Sequence, residues 1–227
     1  MVYHSNLFKL FLHTEDHLFR IQEAEKITNI YKLILSLLGL TILLYGWTGW
    51  LGIGSDPLSN HVQDLSPVDY ELTKVWFMAG KSVYALLFGL FVLFIPTLLF
   101  RFAYQIHYQK LLIMQLSVLF IMLLERLLWI PLFLYAGLEW YVSPLSFGII
   151  ASYVTDIPFF IYFFGAISLF QLWIIGFQVK FISRLSRVRK RWVWTGVILL
   201  HVFYWLITAI ISSDGLYLVR LITEGGI

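Results

Sequence analysis

Long runs of apolar residues alternate with short polar segments along the chain. A helix needs about 20 consecutive apolar residues to cross roughly 30 Å of hydrocarbon. Five runs reach this length, at residues 30–51, 83–102, 111–138, 159–181 and 192–211. The pattern therefore predicts an all-α, polytopic integral membrane protein built as a bundle of five transmembrane helices.

The polar segments before and after these runs give three regions: an arm of residues 1–29, a transmembrane domain of residues 30–213 and a tail of residues 214–227. In the arm, apolar residues precede Thr14, a plausible helix N-cap followed by Glu15 and Asp16 in the first turn. Apolar and charged residues then alternate with helical spacing. This pattern predicts an N-terminal interfacial amphipathic helix on the inner leaflet, with a docking element for a cytoplasmic partner as the alternative.

The basic residues between the predicted spans indicate the orientation. Twelve lie on one side of the membrane, three on the other and Arg126 within a span. Because basic residues concentrate in cytoplasmic loops, the N-terminus is predicted to be cytoplasmic and the C-terminus, with the tail, external. The predicted location is a cell membrane, which the chain crosses several times.

Composition changes this picture only by exclusion. The chain is 60% hydrophobic and 13% charged, with a mean hydropathy of +0.82, which excludes a soluble globular domain of this length. It has no cysteine, so thiolate chemistry is excluded. No hydrolase, P-loop or zincin motif appears. We expect no enzymatic activity and no cofactor.

Two charged residues, Glu125 and Arg126, interrupt the third apolar run. Glu125 follows the basic residue Lys110 by 15 positions, which places it about 22 Å along the helix and past the middle of the membrane. A charge at that depth costs roughly 2.5–3.5 kcal/mol on insertion scales. Neighbouring side chains point about 100° apart, so at least one of the two should reach another helix or trapped water.

The other spans offer few polar partners for this pair. Gln171 on the fourth span and His201 on the fifth are the candidates, which gives an intramembrane polar site of Glu125, Arg126, Gln171 and His201. The functional hypothesis makes this a proton or anion site. The structural hypothesis makes it polar glue between helices or a contact with another subunit, and His201 by itself is typical of a hydrogen-bonded packing residue.

A basic cluster lies between the fourth and fifth runs. It has no acidic residue and consists of Lys180, Arg184, Arg187, Arg189, Lys190 and Arg191. Such a juxtamembrane cluster attracts anionic inner-leaflet lipid by about 1 kcal/mol per basic residue. Contact with an acidic protein partner is the alternative. Nucleic acid is not an expected partner, because no accessible folded module carries the cluster.

His13 and His17 are four residues apart and would share one helix face. The neighbouring residues match neither the zincin motif nor its inverted form, and no third ligand lies nearby. We therefore predict no metal site.

Two stretches carry a family resemblance: FFGAISLFQLWIIGFQVKFISRLSRVRKRW, an aromatic-rich helix that leads through a short basic loop into the last span, and the opening arm LFKLFLHTEDHLFRIQEAEK. Together with the five predicted spans and their orientation, they resemble prokaryotic Yip1-domain membrane proteins. The resemblance implies a bacterial membrane protein of a class in which some members accompany ABC exporters. The Asp-Leu-Tyr-Gly-Pro signature of the eukaryotic members is absent, so no role with Rab-type GTPases is implied.

Two functions remain open from the sequence. The first is a non-enzymatic scaffold or accessory subunit, such as one belonging to an ABC-type exporter complex, which contacts the lipid bilayer and other membrane subunits. The second is a small transporter or channel that uses Glu125 and Arg126.

Overall fold

A computed structural model describes residues 2–55 and 66–224 of the chain. It is helical apart from two three-residue strands, which confirms the all-helical prediction. The elements in chain order are β1 (Val2–His4), α1 (Leu7–Leu12), α2 (Thr14–Glu23), β2 (Lys26–Thr28), α3 (Ile30–Trp50), α4 (Pro67–Tyr104), α5 (Tyr108–Ala136), α6 (Gly148–Val154), α7 (Pro158–Gly165), α8 (Leu169–Leu185) and α9 (Lys190–Glu224).

Among the described residues, four helices are long and apolar enough to cross a membrane. They are α3, α4 over Val68–Tyr104, α5, and α9 over Lys190–Ser213. These helices contain the first, second, third and fifth apolar runs. These four helices are compatible with a multi-pass membrane protein.

The fourth apolar run is not one continuous helix. It forms α7 and α8, which are separated by the three residues 166–168. The expectation of five uninterrupted spans is therefore not met at this position. Hydropathy misses the interruption because Gly165, Ala166 and Ile167 are as apolar as a helix interior, while Ser168 supplies the polar group that starts a new helix.

The chain divides into two compact units. The first comprises residues 1–123 and 184–186, and the second residues 124–183 and 187–227. In the first unit α3 packs along α4, where a Cβ atom on Gly89 would lie 2.7 Å from the Leu38 side chain. The first part of α5 is enclosed on every side, because all nine residues 111–119 are buried.

The arm is a folded part of the first unit. Strands β1 and β2 pair in parallel, with Tyr3 opposite Ile27, and enclose α1 and α2 between them in the chain. The apolar residues Leu10, Leu18 and Ile21 are buried. The predicted interfacial helix on the membrane surface is therefore not confirmed, because its apolar face is covered by protein.

Two contacts attach the arm to α5. The Phe11 ring stacks on Phe120 with a centroid distance of 5.6 Å, and Lys110 Nζ donates a hydrogen bond to the Gln22 carbonyl at 2.7 Å. Phe120 lies ten residues beyond Lys110, about 15 Å along the helix. The arm thus runs along the start of a spanning helix.

His17 is part of the arm's core. Its Nδ1 lies 2.8 Å from the Tyr3 hydroxyl, and burial raises the pKa of Tyr3 to about 12, so this hydroxyl keeps its proton and donates. Burial, and next the charge of Arg20, lower the pKa of His17. His13, four residues earlier, is exposed, and no cluster of three metal-ligating side chains occurs within residues 2–55 and 66–224.

The arm is expected to loosen as the pH falls. A histidine with a lowered folded-state pKa stabilises the fold above its ordinary pKa of about 6.5, and this contribution is lost as the pH drops through the folded-state value. Amide hydrogen exchange in residues 2–28 should therefore be faster at pH 5 than at pH 7.5. His17→Gln should reduce this difference and the matched His13→Gln should keep it; an equal response of both variants would contradict the assignment to His17.

Helices α4 and α9 extend beyond their apolar runs. The final part of the polar segment between the first two runs is the start of α4, which is capped by Ser66 through a hydrogen bond from the Asp69 amide. Residues 56–65 of that segment, with Asp56 and Asp64, lie outside the described residues. The predicted external tail begins as a continuation of α9, which ends at Glu224, and its last three residues also lie outside the described residues.

Candidate functional site at a helix break

The interruption between α7 and α8 is held by backbone hydrogen bonds to residues 145–147. Phe147 N donates to Ile167 O at 3.0 Å, and Leu169 N donates to Leu145 O at 3.0 Å. Ser146 and Ser168 therefore form an antiparallel bridge. Non-helical backbone inside a membrane is tolerated only where protein or water satisfies its polar groups, and here a second backbone segment does so.

Two glycines bring these segments together. A Cβ atom on Gly148 would lie 1.8 Å from the Tyr141 carbonyl oxygen and 2.7 Å from Gly165 Cα. A Cβ atom on Gly165 would lie 2.6 Å from the Tyr141 Cβ. Tyr141 also packs edge-on against Tyr162 of α7, with ring centroids 4.7 Å apart. In the loop after α5, Tyr141 is therefore a packing residue, whereas Tyr153 is exposed.

Three serines surround the break, and all are buried: Ser143, Ser146 and Ser168. The Ser168 hydroxyl oxygen accepts a hydrogen bond from the backbone N–H of Gln171 at 3.1 Å, which is the contact of a helix N-cap. Ser146 Oγ lies 3.2 Å from the Tyr141 carbonyl and 3.0 Å from the Ser143 carbonyl, to which its hydroxyl donates. The start of α8 is therefore a polar point inside an apolar stretch.

The partly buried Glu125 carboxylate meets this point. It lies within hydrogen-bonding reach of the side chains of Ser168 and Gln171. Ser168 precedes Lys180 of α8 by 12 residues, about 18 Å, and Glu125 follows Lys110 of α5 by 15 residues, about 22 Å. Both distances are shorter than the roughly 30 Å thickness of a hydrocarbon layer.

A helix N-terminus suits a carboxylate in this position. The first amide N–H groups of a helix carry a partial positive charge and lack partners within the helix. The α8 N-terminus, the Ser168 hydroxyl and the Gln171 amide therefore all favour the ionised form of Glu125. Burial in an apolar stretch favours the neutral form. Hydrogen bonding and desolvation therefore act in opposite directions on the protonation of the Glu125 carboxylate.

The Arg126 side chain has different contacts from the Glu125 side chain. Its guanidinium lies 4.3 Å from the centre of the Trp129 ring, on the next turn of α5. Trp129 is buried, and its Nε1 donates to the Leu138 carbonyl at 3.0 Å, which fixes the ring. A desolvated cation–π contact of this kind contributes up to about 2 kcal/mol. The 100° angle between adjacent residues explains why the two charges have separate surroundings.

The four residues of the predicted polar site are divided between two places. Glu125 and Gln171 are in contact, whereas His201 pairs with Gln178 of α8, its Nε2 lying 3.0 Å from Gln178 Oε1. Both members of this second pair are buried. Sequence reasoning did not identify Ser168 or Gln178. The seven-residue spacing of Gln171 and Gln178, which gives one helix face, was the available signal for the latter.

The basic cluster lies where α8 ends and α9 begins. All six of its side chains are exposed, and five of them fall within α8's last turn and residues 187–191: Arg184, Arg187, Arg189, Lys190 and Arg191. Comparison with known proteins assigns no function to the helix break or to the basic cluster. No family model, curated protein or solved structure matches the chain.

Proposed function

We propose that this chain is a small membrane transporter or channel whose ion-binding group is the Glu125 carboxylate at the break between α7 and α8. The observation that carries the proposal is the contact of an ionisable residue of one spanning helix with the start of a helix inside an apolar stretch. Ionisable residues within membrane spans mark ion or substrate pathways more often than they serve packing alone.

Broken helices support the same function. In secondary transporters, substrate and ion sites lie near the bilayer midplane at discontinuous helices, whose ends supply backbone groups to the ion. Here the two short helices α7 and α8, the bridging residues Ser146 and Ser168, and the carboxylate of Glu125 give that arrangement. The ion is a proton or a small cation, because the site has one carboxylate and neutral oxygen donors around it.

Arg126 has a supporting role in this proposal. Its charge lies on the neighbouring position of α5 and is held against Trp129, so it adds a positive potential near Glu125 without occupying the contact with α8. A nearby cation favours the ionised carboxylate and therefore release of the bound proton or cation. The predicted pair thus functions as one binding group and one tuning group.

Flux in reconstituted vesicles tests the proposal. Purified protein in liposomes with an internal pH-sensitive dye should dissipate an imposed pH or sodium gradient faster than empty vesicles. Glu125→Gln keeps the size and hydrogen bonding of the side chain but removes its charge, and should reduce flux to the level of empty vesicles. The matched control is Glu71→Gln at an exposed position of α4, which should leave flux unchanged. Equal flux in wild type and Glu125→Gln would contradict the proposal.

A scaffold or accessory subunit, such as one of an ABC-type exporter with a Yip1-like architecture, is the second candidate. The exposed basic cluster favours it, because six cations at one hairpin suit an acidic partner or anionic lipid. Purification in mild detergent separates the candidates. A stoichiometric partner that is lost when Arg187, Arg189 and Arg191 are replaced by Gln supports the accessory function, and retention of vesicle flux by the isolated chain supports the transporter.

The proposed orientation places the basic cluster and the N-terminus in the cytoplasm and the C-terminus outside a bacterial cytoplasmic membrane. The excess of Lys and Arg on one side supports it. In this orientation an ion that enters from the cytoplasm reaches Glu125 along α8.

A further inference from the structure

A second buried polar pair lies on the same helix as the Glu125 contact. Gln171 and Gln178 of α8 are seven residues apart, which places them on one face and about 10.5 Å apart along the axis. Each lies beside an ionisable residue of a different helix: Gln171 is within hydrogen-bonding reach of Glu125 of α5, and Gln178 is hydrogen-bonded to His201 of α9. Gln178 is 2% exposed and His201 6% exposed, so this second pair is enclosed by protein.

The second pair lies between Glu125 and the basic end of α8. From Ser168 to Leu185, where the helix ends, is about 25 Å, and Gln178 is about 10 Å from that end. A proton that moves from the basic end to Glu125 along α8 therefore passes the level of Gln178 and His201. Between Gln178 and Gln171, on the same face of α8, lies the apolar residue Ile175, which is buried.

We propose that His201, oriented by Gln178, is a proton-relay group between the basic end of α8 and Glu125, and that Ile175 forms the apolar barrier between the two. This inference rests on the proposed ion-binding role of Glu125, and it names the transported species as the proton. An imidazole carries protons but does not carry sodium, because its nitrogen lone pair accepts a proton and is a poor ligand for hard cations.

The hydrogen bond of His201 defines the transfer. With Gln178 Oε1 as acceptor, His201 Nε2 carries the hydrogen, and Nδ1 carries the lone pair. Nδ1 takes a proton from a hydronium ion on the basic side, which becomes water, and the new Nδ1–H bond then breaks and releases the proton to water on the Glu125 side. The Glu125 carboxylate accepts that proton. One N–H bond forms and one breaks at His201, one O–H bond forms at Glu125, and the charge of the relay is restored.

The buried isoleucine gives the relay a gate. About 10.5 Å separates the levels of the two glutamines, a gap that takes a chain of several waters to bridge. An apolar constriction of this kind holds back water until it widens. Proton transfer therefore waits for a movement that admits water at Ile175, and the separation limits leakage.

Three variants in the vesicle assay test the inference. His201→Gln keeps a hydrogen-bonding partner for Gln178 but cannot carry a proton, so proton flux should fall about tenfold or more while the melting temperature in detergent stays near that of wild type. Ile175→Ser adds a hydroxyl at the barrier and should raise proton flux, but not when combined with Glu125→Gln. The matched control His107→Gln changes an exposed histidine between α4 and α5 and should leave flux unchanged.

The outcomes separate this inference from the function on which it rests. Wild-type flux in His201→Gln, together with loss of flux in Glu125→Gln, overturns the relay and leaves the proposed function standing. A loss of flux in His201→Gln that follows a lowered melting temperature also overturns it, because His201 then acts only in packing. Wild-type vesicles that carry sodium but no protons overturn the relay, and vesicles that carry neither ion overturn both proposals.

Discussion

Gly148→Ala is expected to be the most destabilising single substitution in the second unit. The added methyl would lie 1.8 Å from the Tyr141 carbonyl oxygen and 2.7 Å from Gly165 Cα. Both obstacles are backbone atoms, so no side chain can rotate away, and the segments around the helix break must separate. Overpacking costs about 1–3 kcal/mol where side chains adjust, and we expect this substitution to reach or exceed the upper end. Thermal unfolding in detergent, followed by tryptophan fluorescence, measures it.

Gly176→Ala is the matched control. Gly176 lies within α8, and a Cβ atom there would meet nothing within 4 Å in the described part of the chain. Alanine in a helix interior is about 0.5–1 kcal/mol more favourable than glycine, so this variant should melt at the same or a higher temperature. A Gly148→Ala protein that melts with wild type and the control would show that residues 141, 148 and 165 are not in close contact.

The sequence predicts the four candidate spanning helices well because their signal is local. Each is a long apolar run, and the hydrocarbon length alone decides it. The ends are less well predicted: α4 begins at Pro67, although the apolar run begins at residue 83, because Ser66 and the turn that it caps extend the helix beyond the apolar run. Polar residues in water can continue a helix that an apolar run has started.

The break between α7 and α8 and the fold of the arm depend on contacts that are distant in sequence. Ser168 starts α8 only where residues 145–147 supply backbone partners, and nothing in the local pattern of residues 159–181 shows them. The arm reads as amphipathic whether its apolar face meets lipid or protein, and Phe120 of α5 covers part of it here. Periodicity identifies a buried face without identifying what buries it.

The candidate site was predictable in part. Glu125 is conspicuous as a charge in an apolar run, and polar residues of other spans are few, so Gln171 followed as a partner by elimination. His201 met the same criteria and contacts Gln178 instead, because hydropathy gives no rotation of a helix about its axis. The partner of an intramembrane charge is set by helix rotation, which local sequence does not specify.

The last prediction measures the coupling of Glu125 to α8. Glu125→Ala should lower the melting temperature, because it leaves the Ser168 hydroxyl and the Gln171 amide without their acceptor in a dry site. Gln171→Ala removes one of the two side-chain donors to a carboxylate and should also destabilise. In the double variant both side chains are absent, so neither is left unpaired by the loss of the other. Its loss of unfolding free energy should therefore be smaller than the sum of the two single losses by about 0.5–2 kcal/mol, the range for hydrogen bonds between membrane helices.

Gln115 provides the control for this cycle. It lies on α5, ten residues before Glu125 and about 15 Å away along the helix. It is fully buried, and neither side-chain polar atom has a hydrogen-bond partner among the described residues. Gln115→Leu keeps the volume and removes this unsatisfied amide, so it should raise the free energy of unfolding by about 1–3 kcal/mol and with it the melting temperature. Its effect should add to that of Glu125→Ala. Additive losses for Glu125 and Gln171 would show that the carboxylate does not depend on α8, whereas coupling there and additivity at Gln115 would locate the dependence at the helix break.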